Sequence, residues 1–128
     1  MYNKVFMNAD ISDFEAKEKM ARCVQDSLDC QEICLQTVTY CLRMSNNYPV
    51  RLLLDCIEMC QVNTDFLIRG SKLKSELCEV CAIACERCEE FCKQFYDDTQ
   101  MKMCAQVCGN CADSCREMAK IETKIFLS

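Results

Sequence analysis

The chain has 128 residues, a net charge of −5, two glycines, one proline and a hydrophobic content of 51% that counts its cysteines. The acidic balance argues against a nucleic-acid or anionic-membrane partner, and so few Gly and Pro imply long elements within one domain over 1–128. Fifteen cysteines stand beside no histidine, which excludes Cys-His nucleophilic catalysis and any Cys₂His₂ zinc site.

In chain order, residues 1–11 read as a leader with Val5, Phe6 and Ile11 as apolar points. Its stretch MYNKVFMNADISDF lacks the uninterrupted apolar core of a secretory signal. A first helix is expected over about 12–46, opened by the capping-box pattern Ser12-Asp13-Phe14-Glu15. Its inward stripe is Met20, Cys23, Ser27, Cys30, Cys34, Thr37, Cys41 and Met44. The break at Ser45–Pro49 leads to a second helix over 49–69, with Pro49 in its first turn and Gly70 as its C-terminal cap. This helix turns Leu53, Cys56, Cys60, Asn63 and Leu67 inward.

A third helix is expected over 72–96, capped by Ser71 or Ser75, with the stripe Cys78, Cys81, Cys85, Cys88, Cys92 and Phe95. Asp97 and Asp98 make the next corner, and either can cap a fourth helix over 98–124. That helix carries Met101, Cys104, Cys108, Cys111, Cys115 and Met118. The tail residues Ile121, Ile125, Phe126 and Leu127 are apolar enough to cover a bundle end or a subunit interface.

Spacings of three and four return each thiol to one helix face. With short connections the fold class is all-α, an antiparallel up-down-up-down four-helix bundle with a cysteine-lined core. Counting down the stripes groups Cys41, Cys56, Cys92 and Cys104 at one end. Cys34, Cys60, Cys88 and Cys108 come next, then Cys30, Asn63, Cys85 and Cys111. Cys23, Leu67, Cys78, Cys81 and Cys115 lie at the far end.

Thiols serving as small hydrophobes would underfill such a core. An odd cysteine count, no signal sequence and thiols stacked on single helices disfavour a secreted disulfide scaffold. A reducing, cytosolic setting follows, where dense cysteine means metal or redox chemistry. Soft thiolates select Cu(I), zinc or iron–sulfur clusters. Cu(I) accepts two or three sulfurs, so pairs four apart such as Cys30/Cys34, Cys56/Cys60 and Cys111/Cys115 suit it. One Cu(I) per thiolate also neutralises a core that fifteen buried charges would make prohibitive. Zinc prefers closed tetrahedra. Layers of four cysteines leave [4Fe–4S] clusters for electron transfer or cluster storage as the alternative, although the run C-x₂-C-x₂-C-x₃-C-P is missing. Asn63, Ser27 and Thr37 are candidate hydrogen-bond donors to thiolates or register-fixing polar residues. Met44, Met101 and Met103 cluster where soft thioethers would pass ions inward, or where Met44 and Met101 would plug the bundle end. An enzyme is not expected, since no acid–base partner accompanies the thiols.

The segments CIEMC at 56–60, CEVCAIACERCEEFC at 78–92 and CAQVCGNCADSC at 104–115 resemble the four-helix-bundle copper-binding proteins, the cytosolic copper storage proteins, over roughly residues 20–118. The resemblance implies a homotetramer of bundles, each holding many Cu(I) ions along its axis for storage or buffering. A copper chaperone is then a candidate donor. Members of that family often carry histidine between helices three and four near an open mouth. Here that segment reads Lys93-Gln94-Phe95-Tyr96-Asp97-Asp98, and methionine is the expected substitute.

Overall fold

The computed structural model describes the backbone of residues 2–44 and 50–127, and the side chains of 14–44 and 50–121. Four helices account for nearly all of it: α1 (Tyr2–Met44), α2 (Val50–Ile68), α3 (Lys74–Lys93) and α4 (Thr99–Leu127). No strand occurs among the described residues. The expected break at Ser45–Pro49 lies outside them, as do the side chains of Val5, Phe6, Ile11, Ile125, Phe126 and Leu127.

Helix α1 corrects the expected leader. Its backbone is helical from Tyr2, so Ser12 lies inside a turn and not at an N-cap. No glycine or proline interrupts 2–44, and a capping-box sequence within such a run has no reason to stop it. At 43 residues α1 is about 64 Å long, against roughly 28 Å for the 19 residues of α2. Length alone therefore makes α1 and the 29-residue α4 overhang their shorter partners.

The α2–α3 connection is set by Gly70, whose φ of 65° lies in the left-handed region. Ser71 N–H reaches back to Phe66 O (2.9 Å) and Gly70 N–H to Leu67 O (3.2 Å), which caps the last carbonyls of α2. Neither serine proposed for the start of α3 acts as its N-cap; Leu73 holds that position without a side-chain cap. The Ser71 hydroxyl accepts from Leu73 N–H within the preceding turn (3.1 Å). Ser75, already inside the helix, donates to Ala119 O of α4 (3.1 Å). Helix α3 ends at Lys93, three residues short of expectation, because Gln94 and Phe95 N–H turn to the carbonyls of Phe91 and Cys92 in tight three-residue steps. Asp98 then caps α4, its carboxylate accepting from Met101 N–H (3.1 Å).

Helices consecutive in the chain pack on each other, and α1 also closes on α4, so the four make a square bundle. All fifteen cysteines are buried in its centre. Around them charged residues solvate the outside, with Arg116 of α4 forking onto Glu86 of α3 (2.7 and 3.1 Å). A Cβ at Gly109 would meet only the movable carboxylate end of Glu89 (Oε2 at 2.5 Å), so the α3–α4 separation does not depend on this glycine.

Replacing Gly70 with Ala puts a Cβ into open space but forces an L-residue into the left-handed region. The expected loss is about 1 kcal/mol of apo stability, read by chemical denaturation under reducing conditions. An unchanged midpoint would mean that the turn relaxes to another backbone conformation.

Candidate metal centre

Fourteen of the fifteen thiols are completely shielded from solvent, and Cys41 is 2% exposed. They are all free. Their sulfurs touch: Cys30–Cys56 is 3.5 Å, Cys56–Cys85 and Cys34–Cys108 are 3.6 Å, and Cys104–Cys108 is 3.9 Å. Cys30 of α1 even reaches Cys85 of α3 across the diagonal of the square (4.0 Å). The underfilled core expected from small side chains is therefore absent. The helices close in until sulfur meets sulfur, which restores the dispersion contacts that a void would forfeit.

The contacts form overlapping groups whose sulfurs all lie within 4.8 Å of one another. One is Cys30, Cys34, Cys56 and Cys108; another is Cys30, Cys60, Cys85 and Cys111; a third is Cys34, Cys88, Cys104 and Cys108; a fourth is Cys81, Cys111 and Cys115. Cys30, Cys34, Cys108 and Cys111 each belong to two groups. Thiolate sulfur sits about 2.3 Å from a first-row ion, so sulfurs 3.5–4.0 Å apart already straddle a place for one. Cys23 lies against Cys115 (3.7 Å) and beside Cys78 at the far end of the column. Cys41 and Cys92 occupy the other end beside Cys104.

Helix α2 sits one turn away from the layers counted along the sequence. Cys56 meets Cys30 and Cys85 instead of Cys41 and Cys92, and Cys60 meets Cys111 (4.0 Å). Asn63 falls level with Cys23, Ser27 and Cys115. The buried polar residues set this register. Asn63 Nδ2 points to Ser27 Oγ (3.5 Å) and to the sulfurs of Cys23 and Cys115 (3.7 and 3.5 Å). In the counted register the amide would have faced Cys30, Cys85 and Cys111, one level away from Ser27 Oγ. Ser27 in turn contacts Cys111 Sγ (3.7 Å). Asn63 thus behaves as expected of a thiolate donor, and Ser27 shares with Cys111 a bond in which either group can donate, while Asn63 Oδ1 has no partner among the described residues. Thr37 does not: its hydroxyl donates to Ile33 O (2.7 Å) and accepts from Gln100 Nε2 (2.9 Å).

Packed thiols share protons, so some are held proton-poor by neighbours that stay protonated. Hydrogen bonds from Cys115, then Cys78, with help from the Asn63 amide, bring Cys23 down to about 4. Contact with Cys108 is the foremost influence lowering Cys30, Cys56 and Cys104, and Cys108 itself is raised, above all by Cys104. Cys81 is brought down to about 7, where bonds from Cys115, Cys60 and Cys85 outweigh an upward push from Cys111. Cys41 has no such donor. Burial, reinforced by the negative charges of Cys104 and Asp98, pushes it up to about 11.

Of the three methionines, Met101 is fully buried at the Cys41 and Cys104 end, whereas Met44 and Met103 are 46% and 49% exposed. A polar cluster escaped the sequence reading at this same end. Tyr40 Oη donates to Asp98 Oδ2 (2.5 Å) beside the Gln100–Thr37 bond. Asp98 was visible in the sequence only as a capping residue, and nothing in the spacing pairs it with Tyr40.

The Cys41 shift has a sign that can be tested. Below pH 9 both folded and unfolded chains keep this proton, and its contribution to stability is intact. Between about 9 and 11 only the unfolded chain loses the proton, so stability falls as pH rises. Metal-free parent protein is expected to lose more stability across that window than Cys41→Ala, measured by urea denaturation with reductant. Parallel slopes would mean that Cys41 ionises as it does in water.

The family described as copper storage protein matches residues 15–120. Metal-free copper storage protein 3 from Bacillus subtilis is 30% identical, with a TM-score of 0.72 over 77% of this chain and 97% of that one. The Cu(I)-bound copper storage protein BsCsp3 is 30% identical, with a TM-score of 0.75 over 79% of this chain and 98% of that one. A cytosolic copper storage protein from Streptomyces lividans, solved with five coppers, shares the fold at 24% identity, with a TM-score of 0.74 over 82% and 95%. No curated protein matches the chain.

Proposed function

The chain belongs to the copper storage protein family, and from that premise we propose that its core takes up Cu(I) as cargo and stores it on cysteine thiolates in the cytosol. The observation that carries this reading is the sharing of cysteines between neighbouring groups. Four closed Cys₄ sites would need sixteen private ligands, and the chain has fifteen, several of them common to two groups. Shared ligands suit a monovalent soft ion that is content with two or three sulfurs and allows each thiolate to bridge. The same spacing works against [4Fe–4S] clusters. Cysteines holding a cuboidal cluster stand outside its sulfide-bearing faces, whereas these sulfurs are in mutual contact.

Each uptake step exchanges a proton for a copper. A Cu(I) donor complex gives up its ion, a Cu–S bond replaces an S–H bond, and the proton leaves to solvent or to the departing ligand. Charge in the core stays balanced throughout, which avoids the cost of several kcal/mol for each unpaired buried thiolate. The ligand set we propose is all fifteen cysteines, with Met101 as a soft relay behind the Cys41 end and exposed Met44 as a collector. Binding and exchange, not turnover, is the activity, and a copper chaperone with comparable sulfur ligands is the fitting donor. No helix among the described residues is long and apolar enough to cross a membrane.

We further propose that the protein assembles with copies of itself, as a tetramer of bundles. Phe14, Leu28, Leu35 and Leu42 are exposed on α1 at intervals of fourteen, seven and seven residues, with Ala21 at the heptad position between the first two, and have fractional exposures of 67, 43, 50 and 66%. That is a second helical seam, facing away from the cysteines. Introducing Leu35→Arg into this stripe is expected to reduce the assembly to smaller species in light scattering while leaving copper capacity unchanged. An unaltered mass would place the interface elsewhere.

The function itself is tested by metal analysis and a Cu(I) titration of anaerobically purified protein. The expected result is a colourless product and an endpoint near one copper per cysteine, about fifteen per chain. Iron with matching sulfide and a brown colour would replace storage with a chain of redox clusters.

A further inference from the structure

The two ends of the sulfur column differ. At the far end Cys23, Cys78 and Cys115 are completely buried. At the near end Cys41 has the one measurable exposure among the cysteines. At the same end, on the α3–α4 corner, lies an open pocket of about 700 Å³ lined by Tyr40, Tyr96, Asp97, Asp98 and Gln100 among others, with no cysteine in its wall. Tyr40 and Gln100 are the chain neighbours of Cys41 and Met101, which face the core. Two hydrogen bonds join α1 to the start of α4 at this corner. Tyr40 Oη donates to Asp98 Oδ2 (2.5 Å), and Gln100 Nε2 donates to Thr37 Oγ1 (2.9 Å). Asp98 is anchored for this role, because its other oxygen caps α4 through Met101 N–H.

We propose that these two bonds are a latch that sets how fast Cu(I) passes the Cys41 end of the sulfur column. The inference rests on the storage reading above. With the latch closed, α1 and α4 are pinned together over the outermost thiol. Breaking the Tyr40–Asp98 bond lets the end of α1 swing from the corner, uncovers Cys41 and leaves the inner groups untouched. Tyr40 and Asp98 are then positioning residues that set the rate of exchange and do not hold the stored metal. A charge-assisted bond of this kind lets the protein keep copper against casual competitors and still release it to a partner that loosens the corner.

The test separates rate from capacity. Tyr40→Phe removes the donor and keeps the ring. Uptake from a weak Cu(I) complex and loss to a strong Cu(I) chelator are followed by stopped flow, with the titration endpoint measured alongside. Ser75→Ala, which removes a buried α3–α4 tie at the opposite end, serves as the comparison. Both rates are expected to rise about three- to tenfold in Tyr40→Phe, the range that loss of one hydrogen bond allows, with the endpoint unchanged and Ser75→Ala matching the parent. Equal rates in Tyr40→Phe and parent would overturn the latch. So would faster exchange in Ser75→Ala, which would mean general loosening or a route through the far end, and so would a reduced endpoint in Tyr40→Phe, which would make Tyr40 part of the store. Failure of the parent to take up Cu(I) at all would overturn the storage reading first, and is seen before any variant is compared.

Discussion

Contact between sulfurs is the constraint from which the rest of this molecule follows. A four-helix bundle normally fills its centre with branched side chains, and here the helices must close until small thiols meet. They do so from all four sides, at separations near 3.5–4.0 Å. Such a core is dense enough to hold a fold together through dispersion and burial. It is also unusually uniform. One thiol looks much like the next, so sulfur packing alone resists a slide of one helix by a turn only weakly. The few residues that break the uniformity therefore carry the specificity: Asn63 paired with Ser27 at one end, Thr37 and Leu53 toward the other, and Ser75 tying α3 to α4.

The same crowding governs the electrostatics. Fifteen ionised thiols cannot coexist in a dry core, and the protein answers by sharing protons between neighbours: along α4 the lowered Cys104 and Cys111 alternate with the raised Cys108 and Cys115. A monovalent soft cation replaces each proton without changing the charge of the core. Geometry and charge thus favour one outcome together. The distances suit bridged sulfur, and the charge count suits one positive ion per ligand. Histidine is not required at any step, and the polar corner formed by Tyr40, Asp98 and Gln100 stands where a ligand-bearing mouth had been anticipated.

Much of this was legible in the residues. The stripes of three and four gave the helices and their inward faces, Gly70 marked the end of α2, and Asp98 was one of two proposed caps for α4. The relative register of α1, α3 and α4 followed from counting turns, as the Cys30–Cys85 and Cys34–Cys108 contacts show. The register of α2 did not, because a repeating stripe fits its neighbours almost equally well after a slip of one turn. Only the partner of Asn63 decides, and that is a long-range fact. The start of α1 was misplaced because a capping-box sequence is a local signal that an uninterrupted helix overrides. The Tyr40–Asp98 pair spans 58 residues and has no periodic signature, so only the folded corner brings it together.

The central claim is that the cysteine column as a whole is the store, as opposed to one or two of its groups. It is tested most directly by a crystal structure of the copper-loaded protein with anomalous scattering recorded at the copper edge. The account predicts a file of copper peaks along the bundle axis, running from the level of Cys23 and Cys115 to that of Cys41 and Cys104, each with sulfur as its nearest neighbour. A single isolated peak, or copper confined to surface carboxylates with the thiols still in mutual contact, would contradict it.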